Sequence, residues 1–293
     1  MNIVDLSTLP VPDVLETLDF EVLYDDQLAI FKQLMGEGWS AALESDPVVK
    51  LVEAGAYVKM TNRARVNDAA KALLLAFAKG ADLEHLASRV NLVRLVIQAE
   101  DLTTVPPTLE VLEEDDALRE RIQMRWEGLT TAGPRNSYIL HARNATALVG
   151  DATAESPSPA VVVVTVQHVL GNGAADDGLL AQVLAYLSDE DIRPLGDRLI
   201  VQSAQVLPYT IKAIIHPVGT GSENEAILAD CKDRIAKWIN PRRRLGVEVA
   251  RSAIDAQLHI TGVRRVELVG WSDITPTKAQ AAYCTGFDVT LGV

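Results

Sequence analysis

Cysteine is scarce in this chain of 293 residues, which contains only Cys231 and Cys284. Two cysteines cannot form the disulfide framework of a small secreted domain, and this usage is typical of a reducing cytoplasm. The sequence has no apolar run of about 18 residues, so we expect no membrane span. Its first residues lack the basic and apolar regions of a signal peptide. We therefore expect a soluble protein that is made in a cytoplasm.

Positive charge and aromatic side chains are also in short supply. The formal net charge is −13, and aromatic residues make up 5% of the chain. Nucleic-acid binding usually needs a basic face, because phosphate neutralisation supplies most of the affinity. The overall composition therefore argues against a nucleic-acid partner, although a local basic patch stays open. The hydrophobic content of 48%, mostly Ala, Val, Leu and Ile, favours helix packing and valine-rich strands over an aromatic-lined cavity.

The acidity is concentrated near the N-terminus. Residues 1–60 contain three Lys/Arg and eleven Asp/Glu, so this part carries −8 of the total charge. Such an asymmetry suits docking onto partners of complementary charge. A solvated, solubilising surface explains it equally well.

The familiar catalytic and cofactor motifs are missing. The sequence has no HExxH or CxxC metal pattern, no GxSxG nucleophile elbow and no GxxxxGK[ST] phosphate loop. The segment Gly171-Asn172-Gly173 lacks the third glycine of a dinucleotide loop and favours a plain turn. Acidic residues at 176–177 and 189–191 favour a helix cap and a solvated connection over a metal site. The histidines lie apart in the sequence, at His85, His141, His168, His216 and His259. We expect no cofactor, no metal and no enzymatic activity.

The N-terminal region is predicted to be helical. Apolar spacing indicates a first helix over 14–35, with Asp13 and Glu16 as a capping box. A longer helix is predicted over 47–79, with Pro47 in its first turn and Gly80 just beyond its end. If unbroken, it forms a rod of roughly 50 Å. Its apolar stripe needs a bundle, within the chain or with partner chains. The interface residues we predict on it are Val48, Leu51, Val52, Val58, Val66 and Leu73.

The middle of the chain combines a linker with two short helices. Residues 99–113 contain Pro106-Pro107 and few core signals, which indicates a linker. Helix is predicted over 115–129 and again from 134 or 136 to 144. Gly133-Pro134 separates these two helices. We interpret this break as a stiff elbow, formed by Trp126, Thr131, Gly133, Pro134 and Tyr138.

The C-terminal half combines β-branched runs with helical segments and is predicted to be a mixed α+β domain. The β-branched run at 160–166 is typical of a strand that is buried on both faces. Further strands are predicted at 199–204, 206–217, 263–269 and 287–293. Helices are predicted after the caps at 176–177 and Ser222, and over 246–260. The fold class is therefore α+β, with an N-terminal long-helix region followed by a mixed domain.

One basic cluster stands out against the acidic background. It consists of Arg242, Arg243, Arg244, Arg251, Arg264 and Arg265. It could meet nucleic acid, but a docking face for an acidic protein surface or a solvated face explains it better.

Several short sequence blocks follow one another along the chain in an order that is typical of one protein family. They are GADLEHLA at 80–87, DALRERI at 116–122, Trp126, TAGP at 131–134, Ser137-Tyr138, His141-Ala142, Asp151-Ala152, SPSP at 156–159, LSDEDIRPL at 187–195, RSAI at 251–254, Gly262-Val263 and RVEL at 265–268. In this order the chain resembles the baseplate J-like proteins, which are wedge subunits of contractile phage tails and R-type pyocins. One departure is Ala160, where related sequences often carry glycine.

The resemblance implies a structural role. Two J-like chains are expected to join one chain of a second wedge protein in a heterotrimer, sharing a core helix bundle. Residues 1–112 would supply the bundle region and linker, 113–150 the elbow region and 151–293 the pairing domain. Six wedges would close a ring around the hub, next to sheath-initiating and hub-side proteins, and relay the trigger for sheath contraction. The chain would assemble in the bacterial cytoplasm and end in the baseplate of the released particle.

Two other functions stay open from the residues alone. A phage-borne cell-wall hydrolase would need a cleft with paired carboxylates or a metal. A generic two-domain adaptor would need only exposed partner surfaces.

Overall fold

The computed structural model describes residues 4–10, 12–36, 46–129, 133–219, 221, 223–240 and 243–292. It divides into two compact units, residues 2–93 and 94–293. The predicted α+β class is confirmed, with helices in the first unit and mixed sheets in the second. No helix among the described residues combines the length and apolarity needed to cross a bilayer. Thr131, Ser222 and Arg242, which carried predictions, lie outside the described residues.

In the described residues of the first unit, the α-helices are α1 (Phe20–Met35), α2 (Pro47–Ala72) and α3 (Gly80–Ser88). The predicted capping box at Asp13 and Glu16 is wrong, because Asp19 caps α1 and its carboxylate accepts from the backbone N–H of Glu21 at 2.9 Å. Glu16 instead binds α2, where its carboxylate lies 2.9 Å from the Arg63 guanidinium. The amide of Asn67 completes this contact by bonding both backbone groups of Glu16. These long-range contacts hold the segment before α1 against α2.

Helix α2 begins where the sequence predicts and ends earlier. The Asp46 side chain accepts from the Val48 N–H at 2.8 Å, and Pro47 occupies the first turn. The helix ends at Ala72, before the predicted end at 79, and its length is about 39 Å for 26 residues. Tight turns follow, with Phe77 N–H donating to Leu74 O at 2.9 Å. Gly80 begins α3 and does not cap the preceding helix.

The predicted linker over 99–113 is a two-stranded arm. Strands β1 (Val96–Gln98) and β2 (Val111–Leu112) pair antiparallel, and Asp101 and Thr108 form a further antiparallel bridge between them. The strands have three and two residues, which is too short for an alternation signal in the sequence. The Pro106-Pro107 pair that suggested a linker lies at the tip of this arm.

After the arm, the second unit continues with helices around a three-stranded sheet. The helices are α4 (Asp115–Met124), followed by a 3-10 turn (Arg125–Leu129), then α5 (Arg135–Ala145) and α6 (Asp177–Leu187). The strands are β3 (Val149–Ser158), β4 (Val161–His168) and β5 (Arg198–Ser203), in the order β3-β4-β5. The valine run forms the central strand β4, as predicted. Strand β3 was missed, because small and polar residues hide its inward alternation.

The hairpin between β3 and β4 contains a strained residue. Ala160 has a φ of 60°, in the left-handed region that glycine adopts at little cost. The departure expected at Ala160 therefore falls at a position whose backbone conformation favours glycine.

A second sheet closes the fold in the order β7-β6-β8. Its elements are β6 (Gln205–Pro217), α7 (Glu223–Trp238), α8 (Arg251–Leu258), β7 (Val263–Leu268) and β8 (Gln280–Leu291). Strand β6 is antiparallel to β7 and parallel to β8. Helices α7 and α8 bury Cys231, Ile235, Ile254 and Leu258 against the sheet. The predicted helix over 246–260 begins only at Arg251, and the last strand starts at Gln280, ahead of its predicted start at 287.

Candidate assembly site

The predicted elbow lies at the start of α5 and contacts a segment about sixty residues later in the chain. Gly133 has a φ of 69°, and Pro134 occupies the N-cap of α5 with a φ of −64°. A Cβ on Gly133 would lie 3.2 Å from the Asp197 carboxylate and 3.4 Å from the Pro194 ring. Only a glycine therefore fits this turn without displacing its neighbours. Trp126 is largely exposed on the 3-10 turn that precedes it.

Tyr138 connects the predicted elbow to Asp197. Its ring is buried, and its hydroxyl donates to the Asp197 carboxylate at 2.6 Å. Burial, with a smaller contribution from Asp197, raises the pKa of Tyr138 far above its ordinary value, so the phenol stays a hydrogen-bond donor. The TAGP and LSDEDIRPL blocks, which are separate in sequence, therefore meet in one structure.

A buried ion pair connects α4 to the arm. Glu113 and Arg121 are 5% and 4% exposed, and the Arg121 guanidinium binds the Glu113 carboxylate. Arg121 also donates to the Asn144 side chain at 2.8 Å, and Glu113 accepts from the Leu95 N–H at 3.0 Å. Burial lowers the pKa of Arg121, and Glu113 opposes that shift. The pair fixes the base of the arm to α4 and α5.

A second ionic contact is centred on Glu120. Its carboxylate lies 2.7 Å from the Arg143 guanidinium and 2.8 Å from that of Arg244. Arg244 also donates to the Gly150 carbonyl at 2.9 Å. Nearby, the buried Asp151 carboxylate accepts from the Leu245 N–H at 3.0 Å. These contacts join α4, α5, β3 and the chain after α7.

Sequence reasoning missed Glu113, Glu120, Arg121 and Asp151 as structural residues. One signal was available, because Arg121 follows Leu118 by three residues and precedes Ile122 by one, which puts it on the apolar side of α4. A charge on the buried side of a helix indicates a buried partner. Its partner could not be read from the sequence.

The predicted arginine cluster divides into internal and exposed members. The Arg243 guanidinium donates to the carbonyls of Gly171 at 2.8 Å and Val169 at 2.9 Å, and it lies 5.5 Å from the Tyr283 ring centroid. Burial lowers the pKa of Arg243. With Arg244 bound to Glu120 and Gly150, both residues have roles within the chain. Docking by either residue would first require breaking these contacts.

The exposed arginines lie on the second sheet and its helices. They are Arg251, Arg264 and Arg265. Arg265 binds Glu267 at 2.6 Å, and Arg251 lies 3.7 Å from Asp255. Their partner-docking role remains a prediction.

The predicted interface residues of α2 separate into two groups. Val52 is buried and Val48 half-buried, which directs them into the first unit. Leu51 and Val58 are 74% and 57% exposed, and Val66 and Leu73 are also exposed. At 100° per residue, these four exposed side chains fall within about 80° of one another. They form an exposed apolar stripe that extends from the second turn of α2 to its C-cap.

No group of three or more potential metal ligands occurs in the part of the chain that the structure describes. His141 packs beside Tyr186 with ring centroids 6.4 Å apart, and burial is the main cause that lowers its pKa.

Comparison with known proteins yields two family matches and one full-length relative. Residues 44–101 match the Baseplate J-like N-terminal domain, and residues 130–203 match the Baseplate J-like central domain. The chain is 42% identical over 299 residues to Baseplate protein J of Escherichia phage P2, which covers 100% of this chain and 99% of the relative. The elbow and the sheet β3-β4-β5 lie almost entirely within the central-domain match.

Proposed function

The chain belongs to the baseplate J-like family, and from that premise we propose that it is a structural subunit of a baseplate wedge in a contractile injection particle. The end-to-end identity with the phage P2 protein carries this proposal, because it leaves no long segment of either chain without a counterpart. A structural role also suits the site, whose charged groups bind one another and hold helices together. The particle is a phage tail or an R-type pyocin.

The exposed stripe of α2 supports assembly with other chains. An apolar stripe of four large side chains on a helix of about 39 Å is stabilised when a partner helix covers it. Each fully buried Val or Leu contributes about 1.5–3 kcal/mol. We propose that Leu51, Val58, Val66 and Leu73 pack in a bundle that α2 shares with a second copy and with a second wedge protein.

The second unit supports the remaining part of the proposal. In it, residues 151–293 form the pairing domain, and residues 113–150 form the elbow region that orients it. Six wedges then close a ring around the hub, which rearranges when the particle binds a host cell. The ionic contacts of Glu113 and Glu120 make the elbow region stiff enough to transmit such a rearrangement.

Electron microscopy of the native particle tests this function. The expected result is density for this chain in a sixfold plate around the hub, with two copies beside each copy of the second wedge protein. Density outside the plate, or a plate that forms normally in particles lacking this chain, would contradict the proposal.

A further inference from the structure

Strand β5 forms one edge of the sheet β3-β4-β5. It is parallel to β4 without a register shift, and Arg198 and Ala204 donate their N–H groups to Ala160 and Val166. The backbone N–H and C=O groups of successive residues point to opposite edges of a strand. In β5, those of the even-numbered residues therefore point toward β4. Leu199 and Val201 therefore direct their N–H and C=O groups outward, where no described strand pairs with them.

The opposite edge of the same sheet is closed. On β3, the Gly150 carbonyl accepts from Arg244 at 2.9 Å, and the Thr153 hydroxyl donates to the Lys278 carbonyl at 2.6 Å. Pro157 lies further along β3 and has no N–H to offer. A further strand cannot add there without displacing these contacts.

The two edges of the second sheet are protected in different ways. On β8, the Asn240 side chain bonds both the N–H and the C=O of Cys284 at 2.9 Å, and Gly246 donates to Gln280. On β7, the exposed charges of Arg264 and Arg265 discourage pairing with another strand. Each of these three edges carries a feature that opposes strand addition.

Strand β5 is less protected. Its charged residue, Arg198, stands at the first position of the strand, residues 199–203 contain no charge and no proline, and β5 has no bulge against β4. Ile200, at its centre, is 45% exposed, and Leu199 and Val201 are half-buried. An open edge whose central residues are uncharged and apolar is suited to pairing, because proteins otherwise protect such edges against association.

We propose that β5 pairs antiparallel with β5 of a second copy, around a two-fold axis that passes through Ile200. This arrangement sets Leu199 of one chain opposite Val201 of the other, so their outward groups form about four backbone hydrogen bonds. The two Ile200 side chains then meet at the axis, and each covers the exposed apolar surface of the other. The sheets of the two copies become one continuous sheet. The inference rests on the proposed function, in which two copies pair, and it assigns the edge by which they do so.

A single cysteine at the axis tests the register. In the proposed pair, the Ile200 Cα atoms are about 4.5 Å apart, because they form a non-hydrogen-bonded pair. That distance lies within the usual disulfide range of about 4.4–6.8 Å. The full-length Ile200→Cys variant is therefore expected to form a disulfide-linked dimer under mild oxidation, seen on a non-reducing gel.

Two controls make the cross-link specific. Gln202→Cys lies on the same strand, but four residues separate it from its counterpart, a distance of about 14 Å that a disulfide cannot span. The unchanged chain has only the buried Cys231 and Cys284 and should stay uncrosslinked. Equal cross-linking of the 200 and 202 variants, or none at position 200, would overturn the proposal.

A charge at the axis supplies a second measurement. Ile200→Lys places like charges opposite one another, so the dissociation constant from sedimentation should rise at least tenfold, whereas Val218→Lys at another exposed position should not change it. An unchanged dissociation constant for Ile200→Lys also refutes the pairing.

If micrographs place the chain in the sixfold plate while Ile200→Cys stays uncrosslinked, this inference fails alone. If the cross-link forms but the chain is absent from the plate, the proposed function fails and the β5 pairing stands.

Discussion

The hydroxyl of Tyr138 donates a 2.6 Å hydrogen bond to the carboxylate of Asp197, which follows it by 59 residues. Asp197 also lies beside Gly133, where a Cβ would approach its carboxylate to 3.2 Å. One carboxylate therefore binds the first turn of α5 and limits the residue that can precede that helix. The turn between α4 and α5 is held from outside by the segment that leads into β5.

Removing the Tyr138 hydroxyl should loosen this contact. Tyr138→Phe keeps the buried ring but leaves the Asp197 carboxylate without its donor, at a cost of about 1–3 kcal/mol in the free energy of unfolding. Denaturant unfolding of the purified chain measures the loss. Asp197→Asn retains an acceptor oxygen and should cost less. A Tyr138→Phe variant as stable as the unchanged chain would show that the contact does not hold the elbow.

The ion pair of Glu113 and Arg121 should be sensitive to the loss of one partner. Arg121→Met leaves the Glu113 carboxylate buried without its cation, which is expected to cost about 3–5 kcal/mol. Arg251→Met removes an exposed guanidinium that lies 3.7 Å from the Asp255 carboxylate, and should cost less than about 1 kcal/mol. Thermal unfolding of both variants measures the difference. Equal losses would contradict the structural role of the buried pair.

Asp151 should contribute a pH-dependent loss of stability. Burial raises the pKa of this carboxyl above 3.8, although Arg244 and the N–H groups of Leu245 and Ala152 oppose the shift. A raised folded-state pKa means that the folded chain binds the proton more tightly than the unfolded chain. Stability from this group is therefore greatest below pH 3.8 and falls as the pH rises through the folded-state pKa.

The Asp151→Asn variant isolates this effect. The free energy of unfolding of the unchanged chain, minus that of Asp151→Asn, should decrease from pH 3.8 upward until the folded carboxyl is ionised. Urea unfolding across this pH range provides the curve. A difference that increases with pH would indicate that Arg244 and the backbone donors dominate over burial.

Ala160→Gly should stabilise the β3–β4 hairpin. The left-handed conformation at φ 60° costs alanine about 1–2 kcal/mol, while glycine adds about 0.4–1 kcal/mol of unfolded-state entropy. A net gain of about 0.5–1 kcal/mol is expected in thermal or urea unfolding. Ala154→Gly, in the extended part of β3, should instead destabilise the chain, and a gain at both positions would refute the explanation.

The α2 stripe should act in assembly and leave the fold intact. Leu51→Asp and Val58→Asp change exposed side chains, so the helix content by circular dichroism should hardly change. Recovery of the complex with the second wedge protein should fall at least tenfold, because each change places a charge in the proposed bundle.

A matched control separates the stripe from general surface charge. Thr61→Asp adds the same charge at an exposed position about 100° from the centre of the stripe. Complex recovery should stay near that of the unchanged chain. An equal loss for all three variants would indicate a charge effect, and no loss for any of them would remove the stripe from the interface.

Local sequence signals determined several elements by themselves. Asp46-Pro47 is a helix start whose cap and first turn need no distant partner, and α2 begins there. The valine run forms β4, because β-branched side chains suit a pleated, buried strand. Gly133-Pro134 lies between two helices, as predicted, and has a left-handed glycine followed by the N-cap proline of α5. The order of the short blocks also indicated the family, which the full-length relative supports.

Tertiary contacts decided the rest, because they join residues that no spacing rule relates. Glu16 binds Arg63 and Asn67 and does not cap a helix, and Arg243 binds the carbonyls of a turn more than seventy residues earlier. The arm follows from pairing between two strands that are too short to show a pattern. Helix α2 leaves its stripe exposed because a different side, which includes Val52 and Ala56, is buried in the unit. Residue type determined where helices start and strands run, but only the folded chain determined which charges were buried and which edges stayed open.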